Sequence, residues 1–208
     1  MTPFLIVTAV ALALLLVFEV RAFEPGVWAT KPIASAGFVA TAIAAGALST
    51  AHGWPLLAAF VLSLAGDVLL IPRSPGPLKA GMGTFLAAHV AFGAAFVVRG
   101  VDWAWTAAGL VLSGGFAGVF VWWLRGRVPE DLRVPVHAYA AALALMVALA
   151  AGTFGARGGW MLLAGAAAFY LSDLSVARDR FVSPGPANKL WGLPLYYGAQ
   201  LLLAASAG

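Results

Sequence analysis

The sequence predicts an all-α bundle of membrane-spanning helices, a single domain over residues 1–208, on three observations. Hydrophobic residues fill 62% of the 208 positions and charged residues only 10%, where a soluble domain carries about 25%. Apolar runs of membrane-crossing length recur along the whole chain, and the breaks between them gather the charge, proline and glycine. Lipid offers no water to backbone N–H and C=O groups, so apolar runs of this length read as helices, which pair those groups internally.

A hydrocarbon core of ~30 Å takes roughly 20 apolar residues per helix, and eight candidate spans follow. The first, residues 3–21, lies in the N-terminal run that opens "TPFLIVTAVALALLLVF"; with no charged leader and no small-residue cleavage site it reads as a retained helix. "RAFEPGVWATK" separates it from the second, 31–50. "HGWP" introduces the third, 54–72, and "PRSPGPLKAG" the fourth, 81–98. "RGVD" precedes the fifth, 103–124, and "RGRVPEDLRVP" the sixth, 134–152. "FGARGG" leads into the seventh, 159–178, and "RDRFVSPGPANK" into the eighth, 189–206.

The basic residues orient this frame. Arg21, Lys31, Arg73, Lys79, Arg125, Arg127, Arg133, Arg178, Arg180 and Lys189 fall in odd-numbered loops; only Arg99 and Arg157 fall in even-numbered ones. Basic residues mark the cytoplasmic side, so both termini are expected outside, in a multi-pass protein of the cell's inner (plasma) membrane. Scattered in this way the cations form no basic stripe, and no nucleic-acid partner is expected. "LSLAGDVLL" in span three and "FYLSDLSVA" in span seven, with Pro32 and Pro135 near the starts of spans two and six, hint at two parallel four-span repeats.

Ionisable residues at membrane depth are costly and are functional candidates. Asp67 and Asp173 each lie about five residues from the cytoplasmic end of their spans, at ~1.5 Å rise per residue. His89, Tyr139, Tyr196, Tyr197 and Gln200 fall within the same half of the bilayer, Glu19 lies near the end of span one, and Lys31 opens span two. Ser63 and Ser172 each stand a turn or less before an aspartate. Independent helices have no reason to place their polar residues in one layer, and that layer is the candidate site. The plainer alternatives are that the aspartates pair structurally with Lys31 or Arg178, that Glu19 pairs with Arg21 or Lys31, and that the serines bond only to backbone.

Several chemistries are excluded. The chain has no cysteine, no HExxH and no three histidines on one side, so no metal site is expected. No GxSxG elbow or GxxxxGK[ST] loop occurs, and no cofactor is called for. Two carboxylates, a histidine and tyrosine hydroxyls remain. Burial raises a carboxyl's pKa, so one member of a buried pair stays protonated near neutral pH while the other is ionised. Such a pair suits proton donation followed by water addition, and equally suits a proton-coupled transporter of small molecules or lipids. Eight helices enclose a site without a second chain.

The motifs narrow the choice. Lys31–Pro32, "SLAGDVLL", "GMGTFLAAHVAF", "VPVHAYAAALALM", "GAAAFYLSDLSVARDRF" and "LYYGAQLLL" occur in this order on an eight-span frame. In this the chain resembles the lysoplasmalogenase, or YhhN-like, integral membrane family. The resemblance implies hydrolysis of the sn-1 vinyl ether of a lysophospholipid, releasing a fatty aldehyde and glycerophosphoethanolamine or glycerophosphocholine. It implies Asp67 and Asp173 as the acid–base pair, with His89, Tyr139, Tyr196, Tyr197, Gln200, Ser63, Ser172 and Glu19 in support and Lys31 at the headgroup phosphate.

Overall fold

The computed structural model describes all 208 residues, and its only regular elements are helices. They are α1 (Thr2–Val20), α2 (Glu24–Ala44), α3 (Gly53–Leu69), α4 (Pro75–Arg99), α5 (Trp103–Leu124), α6 (Glu130–Arg157), α7 (Trp160–Phe181) and α8 (Pro186–Ala205), with one 3₁₀ turn at Ala47–Ser49. Six of them, α1, α2 and α4 to α7, are long and apolar enough to cross a membrane, while α3 is apolar but shorter. The chain is a multi-pass membrane protein.

The helix starts correct the expected spans. Pro25, Pro75 and Pro186 each occupy the first positions of a helix, where the missing N–H would be unpaired in any residue. Helix α2 therefore begins at Glu24 and not at residue 31. Lys31 does not open the span; it lies two turns inside, and Pro32 and Pro135 both fall within helices. The polar first turn of each helix continues past the apolar run that hydropathy detects. At its other end α2 stops at Ala44, because Gly46 takes φ +105°, a conformation that suits glycine.

Neighbours in sequence pack as the pairs α1–α2, α3–α4, α5–α6 and α7–α8, and α2–α3, α6–α7, α4–α6 and α2–α8 close the bundle. Small residues permit the closest approaches. A Cβ on Gly192 of α8 would stand 1.7 Å from Ser175 Oγ of α7. Phe38, Phe60, Phe92 and Phe169 are fully buried and meet edge to face or tilted, Phe60 and Phe92 with centroids 5.3 Å apart. Helix α5 presents Val111, Leu112 and Val119 outward, as a lipid-facing helix does.

The two ends of the bundle differ. The end bearing α3's last turn and the α7–α8 turn carries most of the basic residues. At the other end Arg99 bonds the Ser206 carbonyl and approaches His52 Nε2 at 3.0 Å, while Arg157 Nε donates to the Arg99 carbonyl at 3.1 Å. Burial and the Arg99 guanidinium hold the His52 imidazole below its ordinary pKa.

Candidate active site

Two nests of polar side chains form at the charged end, one around each aspartate. Asp67 sits in the last turn of α3. Its Oδ2 accepts hydrogen bonds from Tyr196 Oη of α8 and Ser35 Oγ of α2, both at 2.7 Å, and its Oδ1 lies 3.6 Å from Lys31 Nζ. Gln200 Nε2, one turn along α8, donates to Tyr196 Oη at 3.0 Å. Tyr197 Oη is 3.1 Å from Ser35 Oγ and donates to the Lys31 carbonyl at 3.3 Å. Two hydroxyl donors and a nearby ammonium suit an ionised carboxylate, which only accepts. Of the plainer alternatives, the Lys31–Asp67 ion pair is present.

Asp173, in α7, has a sparser nest. Tyr139 Oη of α6 donates to its Oδ2 at 2.8 Å. His89 Nε2 of α4 stands 3.7 Å from the same oxygen, beyond hydrogen-bond reach. The imidazole is packed between Tyr139 and Phe169, with centroids at 5.0 and 4.9 Å, and neither ring nitrogen has a partner. No cation pairs with Asp173; Arg178, the expected candidate, bonds Asn188 Oδ1 instead. The Asp67 side chain is 4% exposed and that of Asp173 13%, so the less partnered carboxyl is also the more accessible one.

Both carboxyls line one small chamber of about 60 Å³, together with Lys31, Tyr139 and Tyr196. A water needs ~10–15 Å³ measured this way, so the chamber has room for several. Two further spaces adjoin it, one of about 70 Å³ and one far larger. An apolar pocket between α4, α5, α6 and α7 is walled by Leu78, Met82, Phe120, Leu143 and Tyr170, and Asp173 is its one carboxyl. A charged cleft of about 630 Å³, bounded by α1, α2, the end of α3 and the α7–α8 turn, contains Glu19, Lys31, Arg73, Arg180 and Lys189. Leu70 and Arg180 line all three spaces.

The expected residues thus sort into groups. Asp67, Asp173, Lys31, Tyr139 and Tyr196 line the chamber, and His89, Tyr197 and Gln200 lie directly behind them. Glu19 faces the cleft and pairs with neither Arg21 nor Lys31. Ser172 lines the chamber, but its hydroxyl donates to the Phe169 carbonyl at 2.7 Å. Ser63 is buried without a hydrogen-bond partner and does not line the chamber, one turn deeper on α3 than Asp67.

Three residues of the site were not anticipated. Ser35 follows Lys31 by four positions, a spacing that shares one helix face, and this was the available signal. Arg180 follows Asp173 by seven, again on one face, and sends Nη2 to the Leu70 carbonyl at 2.8 Å. Asp179 is buried and ties down the α7–α8 turn. It accepts from Gly185 N at 3.0 Å and Asn188 Nδ2 at 3.2 Å, and lies 3.5 Å from both Arg73 and Lys189.

A family model described as the YhhN family matches residues 26–207. Among curated relatives, lysoplasmalogenase TMEM86A of Bos taurus is 31% identical over 153 residues, covering 71% of this chain and 62% of its own length. Lysoplasmalogenase TMEM86B of Homo sapiens is 35% identical over 154 residues, covering 73% of this chain and 62% of its own. The Mus musculus TMEM86B enzyme is 32% identical over 167 residues, with 80% and 67% covered. The chain thus spans somewhat under two thirds of the length of the first two. No solved structure matches.

Proposed function

The chain belongs to the YhhN family, and from that membership we propose that it is a hydrolase cleaving the sn-1 vinyl ether of a lysoplasmalogen. The observation that carries the reading is the single chamber shared by Asp67 and Asp173, with an apolar pocket on one side and a charged cleft on the other. The names of the relatives supply the substrate class. A single-chain lipid has the matching form: an apolar tail, one reactive group and a charged head.

In this reading Asp173 is the acid. It lacks a cationic partner and borders the apolar pocket, where the alkenyl chain lies. Its proton passes to the β-carbon of the vinyl ether as the π electrons form the new C–H bond, and the ether oxygen shares the resulting positive charge. Asp67, ionised against Lys31, faces that cation and orients the attacking water. Water bonds to the cationic carbon and returns a proton to Asp173. The hemiacetal hydroxyl then gives up its proton as the carbon's bond to the glycerol oxygen breaks, that oxygen takes up a proton, and the aldehyde and the glycerophospho-headgroup leave. Tyr139 holds the Asp173 carboxyl in place, and Tyr196 with Gln200 holds Asp67.

The same proposal sets all eight helices across the inner membrane, termini outside and chamber in the cytoplasmic half, supported by the ten-to-two division of basic residues. It also makes the chain two parallel four-helix repeats. Asp67 and Asp173 are 106 positions apart. Their hydroxyl partners Ser35 and Tyr139 are 104 apart, and the side chains that reach across, His89 to Asp173 and Tyr196 to Asp67, are 107 apart. A proton-coupled transporter would continue its ionisable groups to the far face; beyond the chamber the buried side chains are instead Phe38, Phe60, Phe92 and Phe169 with uncharged Ser63, Thr41 and Thr153.

Aldehyde release by purified protein in detergent tests the reading. Aldehyde from lysoplasmenylethanolamine, and none from the ester-linked lysolipid, is expected. No aldehyde from any vinyl-ether lysolipid, with folded protein, overturns it; proton uptake by the same protein in liposomes would then favour transport.

A further inference from the structure

In the charged cleft one cation lacks a carboxylate partner and two carboxylates lack a cation. Lys31 is 3.6 Å from Asp67, and Arg73 and Lys189 are each 3.5 Å from Asp179. Arg180 pairs with no carboxylate. Its Nη2 is committed to the Leu70 carbonyl, and its Nε is buried without any partner. Among the acids, Glu24 is exposed and accepts from Trp28 Nε1 at 3.4 Å. Glu19 is half-buried and makes neither an ion pair nor a side-chain hydrogen bond. Arg180 and Glu19 line the same cleft without bonding each other.

A buried guanidinium N–H without an acceptor is costly, and a planar guanidinium is suited to phosphate oxygens. Arg180 is anchored by the turn that Asp179 ties down, and it borders the chamber as well as the cleft. In a lysophospholipid the phosphodiester and the sn-1 ether are separated by the three glycerol carbons alone. A phosphate on Arg180 therefore leaves the ether in the chamber and the chain directed to the apolar pocket. The amine of the headgroup then extends into the cleft toward Glu19.

We propose that this cleft is a reader of zwitterionic lipid headgroups, in which Arg180 holds the phosphodiester and Glu19 the ammonium. It rests on the reading of the chamber as a lysolipid site and adds two specificity-determining residues with separable roles. Binding tests it independently of hydrolysis, with three non-hydrolysable ligands: 1-O-hexadecyl-glycerophosphoethanolamine, 1-O-hexadecyl-glycerol 3-phosphate and 1-O-hexadecylglycerol.

In the parent the two phosphorylated ligands should bind at least about tenfold tighter than hexadecylglycerol, as charge-assisted hydrogen bonds allow. Arg180→Gln should erase that increment, and Glu19→Gln should erase only the preference for the ethanolamine ligand over the bare phosphate. Unchanged affinity for hexadecylglycerol in both variants shows that the site is intact. Equal loss for all three ligands, or both preferences retained, overturns the assignment. Glycerophosphoethanolamine should displace the first ligand far better than inorganic phosphate does; equal displacement would make the cleft a free-phosphate site and also overturn it. Hydrolysis of vinyl ethers with headgroup preference intact in Arg180→Gln sinks this proposal alone. A parent that binds none of the three ligands contradicts the lysolipid reading beneath it.

Discussion

The charged cleft and the apolar pocket adjoin the same chamber and meet at Leu70 and Arg180, yet the rest of their linings differ in chemistry. The cleft is bounded by α1, α2, the end of α3 and the turn into α8; the pocket is bounded by α4, α5, α6 and α7. If the chain is two four-helix repeats, these are the same space in the two halves. One is lined by charge and the other by hydrocarbon. The aspartates differ in the same way: Asp67 adjoins the cleft's Lys31 and has two hydroxyl donors, while Asp173 opens on the pocket with one. In the reading proposed above, the two nests make an asymmetric pair, one carboxyl fitted to hold charge and one free to carry a proton.

Exchanging each aspartate for asparagine tests that asymmetry most severely. Asp173→Asn should cut aldehyde release by ~10²–10⁴-fold, the range for a general acid, with little change in thermal unfolding. Asp67→Asn should also lose activity, but it leaves the Lys31 ammonium buried and unpaired, at a cost of about 3–5 kcal/mol, seen as a large fall in the unfolding midpoint. Lys31→Met added to Asp67→Asn should restore the midpoint without restoring activity. Equal stability losses at the two aspartates would erase the distinction between the nests.

Smaller changes sharpen the comparison. Tyr139→Phe removes the one hydrogen bond to Asp173 and should lower kcat about tenfold, with KM nearly constant. Ala140→Leu fills part of the apolar pocket. It should lower kcat/KM about tenfold for long alkenyl chains, since overfilled packing costs ~1–3 kcal/mol, and spare short ones. The least effect lies at the far end of the bundle. His52 resists protonation in the folded state, so its contribution to stability is complete above its ordinary value of 6.5 and is lost as pH falls through the lowered one. The part of the drop in unfolding midpoint that begins just below 6.5 should shrink in His52→Gln and persist in Asp173→Asn.

Hydropathy made the eight helices legible because lipid demands long apolar runs, and the depth of Asp67 and Asp173 made the polar layer legible before any contact was known. The helix starts were not, since Pro25, Pro75 and Pro186 begin helices in polar turns that hydropathy ignores. Lys31 was accordingly placed at a helix mouth although it lies inside. Ser63 shares a face with Asp67 but ends one turn too deep, unpaired and away from the chamber. Arg180 had the opposite fate. Counted as a topological charge, it turns inward because the Leu70 carbonyl captures it, a contact between segments more than a hundred residues apart that no local pattern encodes.

The most direct measurement is the aldehyde formed from lysoplasmenylethanolamine in D₂O, by the parent and by folded Asp173→Asn. One deuterium at carbon 2 of the aldehyde, with formation at least about a hundredfold slower in the variant, is the predicted result. Aldehyde without that deuterium, or undiminished formation by Asp173→Asn, would contradict proton donation by this carboxyl.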